Sequence, residues 1–385
     1  MRLLYFAPLS HGGLADYARE QASALGRAGV ETEVLCAPSF PAYDEAAARR
    51  RPMLADFGKE TAEGGRIARA WRFCRMMVGH HRALARIIRK EGHRHVLLGS
   101  YAEYFAPLWS PALRRLSRQG VVFGAVVHDP VRDAVLGPWK WHRRSIADGY
   151  SFLRHAFVHE DVTLDTGRPM PDLKVTVIPH GPYVFKTAVP DRPTARQRLD
   201  ITGDARVLLA FGHIRDNKNL DIVIRALAHV PALHLLVAGN ELSSGQRRAS
   251  WYRELAGELG VADRCHWHVR FIAEDEIGTF FSAADYVSLT YGSGFRSASG
   301  VLSVSSQFRK PCLASSGPGP LRTLVRKYGL GVWVEPDSAE AVGRGMRQLL
   351  VDDIKPRWED YVRENSWDEN AHIVARTLFP TATTP

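Results

Sequence analysis

The segment Phe211-Gly212-His213-Ile214-Arg215-Asp216-Asn217-Lys218-Asn219-Leu220 decides the fold prediction. It follows a buried strand predicted over 206–211 and leads into a helix predicted over 220–228. Arg215 and Lys218 therefore stand between the carboxyl end of a strand and the amino end of a helix. A guanidinium fork and an ammonium at such a place suit a diphosphate, so we take both as donor-binding candidates. A pair of solvated loop cations is the alternative.

Strands alternate with helices on both sides of this segment. In the second half the pattern predicts strands at 234–238, 265–269, 286–289, 311–314 and 331–334, each separated from the next by a helix. In the first half it predicts strands at 3–6, 31–36, 95–98, 121–127, 155–158 and 175–178, with a helix at 14–28. Such alternation is typical of parallel, doubly wound α/β sheets.

The length of 385 residues exceeds what one hydrophobic core usually supports, which predicts two domains. We expect an N-terminal Rossmann-like, acceptor-binding domain over 1–186 and a linker with Pro190 and Pro193 over 187–194. We expect a second Rossmann-like domain, which binds the donor, over 195–355. A helical tail over 356–385 is predicted to brace the two domains. Ligands of such sheets bind beyond the carboxyl ends of the strands, which predicts an interdomain cleft.

The composition is that of a globular protein, with 45% hydrophobic and 24% charged residues and a net charge of +10. Four scattered cysteines and the absence of a signal peptide or long apolar run predict a cytoplasmic protein. The charge favours anionic partners. Residues 68–90 interleave arginines with apolar side chains, which indicates either a solvated helical face or a docking surface for an anionic membrane. No nucleic-acid-binding module is recognisable, so we expect no nucleic-acid partner.

The loop over 291–301, Tyr-Gly-Ser-Gly-Phe-Arg-Ser-Ala-Ser-Gly-Val, lies between a predicted strand and a predicted helix. Its small residues, free backbone N–H groups and hydroxyls resemble a phosphate cradle, although a flexible surface loop is the alternative. The donor-binding candidates in this loop are Arg296, Ser297, Ser299, Gly300 and Val301.

Gly12 and Gly13 follow the first strand and open the first helix, where a helix amino end favours an anion. We take both as donor-binding candidates, with a ligand-free tight turn as the alternative. His11 beside them is a candidate acceptor contact.

Histidines follow three predicted strands of the first half. His128 and Asp129 form a titratable pair after the strand at 121–127, and we take them as catalytic candidates, or else as a capped strand end. His180 ends another strand and is a candidate for the acceptor site or cleft. His159, followed by Glu160, repeats the pattern. No spacing predicts a metal site.

These segments together resemble the GT-B glycosyltransferases of family 4. The resemblance rests on the glycine pair after strand one, V-I-P-H-G at 177–181, F-G-x-I-R-x-x-K-N-L-D at 211–221, and R-K-P-C-L-A-S at 309–315. It implies a nucleotide-sugar donor bound by the C-terminal domain, an acceptor bound by the N-terminal domain, and neither a cofactor nor a metal. By resemblance, Arg215 and Lys218 neutralise the diphosphate, and His128 approaches the transferred sugar.

Two positions depart from the family pattern. Where relatives commonly carry two glutamates eight residues apart, this chain has Arg296 and Val304. An arginine cannot act as an anion, and a valine cannot accept hydrogen bonds from ribose hydroxyls. We expect a hexosyltransferase that uses a UDP- or GDP-sugar and a polysaccharide-related, lipid-linked acceptor at the inner face of the cell membrane. A catalytically silent nucleotide-binding or partner protein of the same fold is the alternative.

If Arg296 pairs with an acidic donor sugar, Arg296→Ala should lower transfer from a uronate donor at least tenfold and spare a neutral hexose donor. Product formation from matched donors measures this preference. Equal transfer from both donors that Arg296→Ala leaves unchanged would contradict it.

Overall fold

The computed structural model describes residues 1–41, 47–56, 66–128, 130, 135, 137–183, 189–201, 204–241 and 245–380, with only the backbone for 66–70. Within these ranges the strands are β1 (Arg2–Phe6), β2 (Glu31–Cys36), β3 (Arg49–Pro52), β4 (His95–Leu98), β5 (Val122–Val126), β6 (His155–Val158), β7 (Lys174–Val177), β8 (Arg206–Phe211), β9 (Leu233–Ala238), β10 (Cys265–His268), β11 (Tyr286–Thr290), β12 (Cys312–Ser315) and β13 (Gly331–Trp333).

The α-helices in the same ranges are α1 (Gly13–Arg27), α2 (Arg66–Glu91), α3 (Ala106–Arg118), α4 (Trp139–Tyr150), α5 (Arg192–Arg198), α6 (Leu220–Leu227), α7 (Ala249–Glu258), α8 (Ile277–Ala283), α9 (Gly300–Phe308), α10 (Pro320–Tyr328), α11 (Ala339–Val351), α12 (Trp358–Glu364) and α13 (Trp367–Leu378). Short 3-10 helices lie at Glu103–Phe105, Asp216–Lys218, Ala262–Arg264 and Glu274–Glu276. No helix of the described chain is both long and apolar enough to cross a membrane.

The chain divides into two compact units. The first holds Met1–Gly181 and Asn365–Pro385, and the second holds Pro182–Glu364. Residues 184–188, which include the start of the predicted linker, lie outside the described residues, and α5 already begins at Arg192. The predicted tail contains two helices, of which α12 lies in the second unit and α13 in the first. Its bracing role stays a prediction.

Each unit contains one all-parallel sheet. The strand order is β3-β2-β1-β4-β5-β6-β7 in the first unit and β10-β9-β8-β11-β12-β13 in the second. The order reverses beside β1 and β8, which pair with β4 and β11 respectively. The doubly wound α/β prediction is confirmed. The loops after β1 and β8 lie at these switch points, where open α/β sheets bind ligands.

The strand β3 was not predicted, because Arg49, Arg50, Arg51 and Pro52 lack the alternation of a half-buried strand. It pairs only with β2 and forms one edge of its sheet. An edge strand tolerates charges and a proline, since one side of its backbone needs no partner.

A buried polar network holds α13 on α1 in the first unit. Asn370 is fully buried, and its Nδ2 donates to the Tyr17 hydroxyl at 3.0 Å and to the Pro179 carbonyl at 2.7 Å. Its Oδ1 accepts from Gln21 Nε2 at 2.8 Å, and Gln21 Oε1 accepts from the Tyr5 hydroxyl at 2.8 Å. These bonds satisfy polar groups that would otherwise be buried without partners.

Replacing Asn370 by Ala should therefore destabilise the first unit by about 3 kcal/mol, because several buried groups lose their partners. Chemical denaturation followed by circular dichroism measures the change. The neighbouring exposed Glu369 provides the control, since Glu369→Ala should shift the unfolding free energy by less than about 0.5 kcal/mol. Equal effects of the two substitutions would contradict the role assigned to the network.

Candidate functional site

The two predicted phosphate-binding segments meet in the second unit because they follow paired strands. The segment over 211–220 follows β8, the loop over 291–301 follows β11, and β8 pairs with β11 in parallel. Gly212, Arg215 and Lys218 of the first segment line one pocket there, together with Thr290 of β11 and Tyr291, the first residue of the loop. The predicted loop residues Arg296, Ser297, Ser299, Gly300 and Val301 are not among its described lining residues. The strand pairing therefore places a cationic segment and a small-residue loop at the same edge of the sheet.

Gly212 is required for this approach of the two segments. Its φ of +84° lies in the left-handed region that favours glycine. A Cβ atom at this position would lie 3.3 Å from Lys218 Nζ and 3.8 Å from Val301 Cγ2. The absence of a side chain keeps open the space between the cation and the start of α9.

Lys218 lies at the end of β8 and is partly buried. Its ammonium donates a hydrogen bond of 2.7 Å to the Phe211 carbonyl. Burial, together with the positive charge of Arg215, lowers the pKa of Lys218 to about 7. The side chains of Arg215 and His213 are both exposed, and neither forms an ion pair in the described structure. An anion would therefore meet the cations Arg215 and Lys218 without a competing carboxylate bound to them.

Asp337, which no sequence pattern indicated, joins the two segments. Its carboxylate accepts from Asn219 Nδ2 at 2.8 Å and from the Ser293 backbone N–H at 2.9 Å. Burial acts to raise the pKa of Asp337, but the hydrogen bonds from Ser293 and Asn219 outweigh it and lower the pKa. A single aspartate 44 residues beyond Ser293 gives no sequence signal of such a contact.

The loop over 291–301 is anchored at both ends. The rings of Tyr291 and Phe295 stack with centroids 3.9 Å apart, and the Tyr291 hydroxyl lies 3.0 Å from Ser299 Oγ. Ser299 caps α9 by accepting from the Leu302 N–H at 3.3 Å. Gly300 and Val301 form the first turn of α9, Ser297 is half-buried, and Arg296 is exposed.

Val304, at the second position where the resemblance to family 4 implies a glutamate, is buried in α9. It therefore belongs to the packing of the unit. The exposed Arg296 and the buried Val304 provide no carboxylate at either position.

In the first unit, His128, His159 and His180 form a histidine cluster. Each follows a different strand, in the order β5, β6 and β7, and these strands are neighbours in the sheet. The rings surround Tyr17, with centroids 4.7, 5.3 and 5.2 Å from its ring for His128, His159 and His180. Trp367 of α13 packs on the same tyrosine at 4.9 Å.

Carbonyl contacts fix the protonated nitrogens of the cluster, because a carbonyl only accepts. His128 Nε2 donates to Gly99 O at 2.9 Å, and His159 Nδ1 donates to Ile178 O at 3.1 Å. Burial, with the neighbouring histidines, lowers the pKa of His159 well below its usual value, and burial lowers that of His180 to about 4. His159 and His180 are therefore neutral at pH 7, and His159 Nε2 is a buried lone pair without a hydrogen-bond partner in the described structure.

The remaining predicted residues have simpler surroundings. Gly12 adopts φ +79° and precedes α1, Gly13 begins that helix, and both are exposed. His11 is exposed, and its Nδ1 contacts the Ser10 carbonyl. Asp129, the predicted partner of His128, lies outside the described residues.

One group in the described ranges has the spacing of metal ligands, namely Glu33, Glu91 and His93. The Arg51 guanidinium already donates to Glu91 Oε2 at 2.6 Å and to Glu33 Oε1 at 3.3 Å. Its hydrogen bonds lower the pKa of Glu91 to about 2. The cluster is therefore explained as an ion-pair network between β2, β3 and the end of α2.

Residues 191–370, just under half of the chain, match the family model described as glycosyl transferases group 1. A D-inositol 3-phosphate glycosyltransferase of Stackebrandtia nassauensis is 30% identical over 221 residues, which cover 54% of this chain and 47% of that relative. One of Mycobacterium bovis is 33% identical over 158 residues, which cover 38% and 31% of the two chains. The chain thus matches about half or less of the length of these relatives.

Solved structures resemble the chain over nearly its full length. Sucrose-phosphate synthase from Thermosynechococcus elongatus aligns with a TM-score of 0.69 at 16% identity, covering 98% of both chains. HepE of Anabaena in complex with UDP and glucose gives 0.69 at 14% identity, covering 98% of this chain and 99% of that one. The chain therefore has the GT-B glycosyltransferase fold. Most of the segment that matches the group 1 glycosyl transferases, up to Glu364, lies in the second unit.

If this pocket binds a nucleoside diphosphate, the low pKa of Lys218 should make that binding dependent on pH. At pH 8 the ammonium of the empty site is mostly deprotonated, and a bound diphosphate raises its pKa because it favours the charged form. We expect UDP binding to take up a proton near pH 8 and to weaken as the pH rises above 7. Calorimetry in two buffers of different ionisation enthalpy measures the uptake.

Lys218→Arg provides the control, because a guanidinium stays protonated throughout this range. The same proton uptake in the variant and in the wild type would show that Lys218 is not its source.

Proposed function

We propose that this protein transfers a hexosyl unit from a UDP- or GDP-sugar to an acceptor hydroxyl. The observation that carries the proposal is the pocket at one sheet edge of the second unit, which Arg215, Lys218 and Gly212 line together with Tyr291. The start of α9 comes close to it at Val301, which lies near Gly212. The match of this unit to group 1 glycosyl transferases and the nucleotide complex of HepE support the same assignment.

The chemistry requires the bond between the sugar C1 and the diphosphate oxygen to break while the acceptor oxygen bonds to C1. Negative charge then builds on the departing diphosphate. Arg215 and Lys218 stabilise this charge as preorganised cations, with the Ser299-capped start of α9 supplying backbone N–H groups. In this proposal the two cations take the role that a divalent metal has in other transferases, so the enzyme needs neither a metal nor a cofactor.

The acceptor side of the proposal rests on the first unit. A pocket there is lined by Ser100, Tyr101, Glu103 and His128 together with apolar residues, among them Leu14 at the start of α1. With Nε2 of His128 donating to Gly99, its Nδ1 is the nitrogen that can accept a hydrogen bond from a sugar hydroxyl. We assign His128 to the reacting sugar or acceptor, with Asp129 as its predicted partner, and His180 and His11 to acceptor contacts. Gly12 and Gly13 are assigned to the donor phosphates.

We also propose a polysaccharide-related, lipid-linked acceptor at the inner face of the cell membrane. The described part of α2 supports a membrane contact, because Trp71 and Phe73 are 63% and 40% exposed among several arginines. Exposed aromatic and cationic side chains on one helix favour the surface of an anionic bilayer. The names of the inositol-phosphate relatives offer soluble phosphorylated cyclitols as comparison acceptors.

The alternative is a silent protein that binds a nucleotide or a partner transferase. The specific observation in its favour is that the exposed Arg296 and the buried Val304 stand where relatives carry glutamates. Calorimetry with UDP and GDP, followed by assays of nucleotide release from candidate sugar donors, separates the two proposals. Binding without any transfer or hydrolysis would favour the silent protein.

Lys218→Ala should lower turnover on the order of 100-fold, because a preorganised cation is lost from the developing diphosphate charge. Nucleoside diphosphate release in a coupled assay measures the loss, and an unchanged melting temperature shows that the fold is intact. Arg225→Ala, which removes an exposed cation from α6 in the same unit, should retain full turnover. Near-normal turnover of Lys218→Ala would remove this assignment.

A further inference from the structure

A cavity of about 490 Å³ in the first unit takes no part in the proposed transfer. It lies between the segment that follows β3 and the middle of α2, over residues 72–83, and its volume is that of small-molecule sites. The residues that line it include Met53, Leu54, Arg72, Arg75, Met76 and His80. Because β3 ends at Pro52, the cavity opens near the carboxyl edge of the sheet.

Arg72 is the unusual feature of this cavity. Its Nε and Nη2 atoms are buried and have no hydrogen-bond partner among the described residues. Buried N–H groups of a half-buried guanidinium that have no partner cost free energy, since they give up water and gain no hydrogen bond in return. An anion that binds in the cavity would remove this cost through the planar fork of the guanidinium.

The described lining residues of the cavity include Arg72 and Arg75 and no carboxylate, so their net charge is positive. His80 Nε2 accepts a hydrogen bond of 3.2 Å from the Ala55 N–H, and burial lowers the pKa of His80 to about 4, so this histidine is neutral at pH 7. Arg72 and Arg75 therefore supply the charge. Their ligand is expected to be an anion.

The surroundings of the cavity are apolar. Met53 is 59% exposed and Trp71 is 63% exposed, while Leu54 and Met76 belong to the wall. The Arg75 guanidinium lies 5.8 Å from the centre of the Trp71 ring. A free inorganic anion makes no use of this apolar rim, whereas the acyl chains of a lipid would cover it.

We propose that the cavity binds the phosphate group of an anionic membrane lipid, with Arg72 as the fork and Arg75 as a second cation. The acyl chains lie against Met53 and Trp71. The inference rests on the membrane contact proposed above and deepens it, because it replaces a diffuse charged face with one defined binding site.

The experiment uses the full chain and no nucleotide, so its failure is independent of the transferase proposal. Binding is measured by sedimentation with vesicles of phosphatidylcholine, with and without about one third phosphatidylglycerol. Calorimetry with dihexanoyl phosphatidic acid and with inorganic phosphate separates a lipid ligand from a free anion.

Arg72→Gln is compared with Arg82→Gln, a matched loss of charge on the exposed side of α2. We expect Arg82→Gln to weaken vesicle binding by about fivefold or less, since a basic residue near the surface contributes about 1 kcal/mol. Arg72→Gln should weaken it more than tenfold and abolish binding of the short-chain lipid. The melting temperature of Arg72→Gln should equal or exceed that of the wild type, because an unpaired buried cation is removed.

Equal losses in the two variants would show a diffuse electrostatic attraction and overturn the proposal. Inorganic phosphate that binds as tightly as the short-chain lipid would overturn the assignment to a lipid. A melting temperature of Arg72→Gln clearly below that of Arg82→Gln would mark Arg72 as a structural residue and also overturn it.

Discussion

The hydrogen bond from Lys218 Nζ to the Phe211 carbonyl fixes a cation at the end of β8, and the candidate donor site depends on it. The ammonium stays near Gly212 and Val301 because the chain turns back through a 3-10 helix at Asp216–Lys218. Partial burial beside Arg215 makes the charge costly in the empty site and lowers the pKa of Lys218. A bound anion would stabilise the charged form of Lys218 and so offset the cost of its burial. That stabilisation would contribute to the affinity of the site.

The first unit uses neutral imidazoles where the second uses cations. Its histidine cluster surrounds Tyr17, whose hydroxyl belongs to the network of Gln21 and Asn370. Burial keeps His159 and His180 uncharged at pH 7. Neutral imidazoles suit hydroxyl groups, which both donate and accept hydrogen bonds, better than they suit phosphates.

Much of the fold was predictable from hydrophobic periodicity, because buried parallel strands such as β1 and β8 form continuous apolar runs. The edge strand β3 was missed, since its arginines and proline lack that pattern. The segments over 211–220 and 291–301 were predictable as candidates because glycine, cations and hydroxyls cluster there in sequence. The role of Asp337 was not predictable from the sequence, because this aspartate comes close to Asn219 and Ser293 only when the chain is folded. The sequence likewise did not distinguish Arg72 from the other arginines of residues 68–90.

The sequence by itself determined two α/β halves, the strand ends that are candidate ligand sites, and the residues that offer charge there. Its local patterns suffice for this, since strand and helix periods and turn glycines are properties of neighbouring residues. Only the tertiary structure decided which strands pair, and so which loops meet. The pairing of β8 with β11 brings the segment with Lys218 and the loop before α9 to one sheet edge. The order β5-β6-β7 gathers three histidines around Tyr17. Burial likewise follows from packing between distant segments. It lowers the pKa values of Lys218 and His180, and it leaves Nε and Nη2 of Arg72 without partners in the described structure.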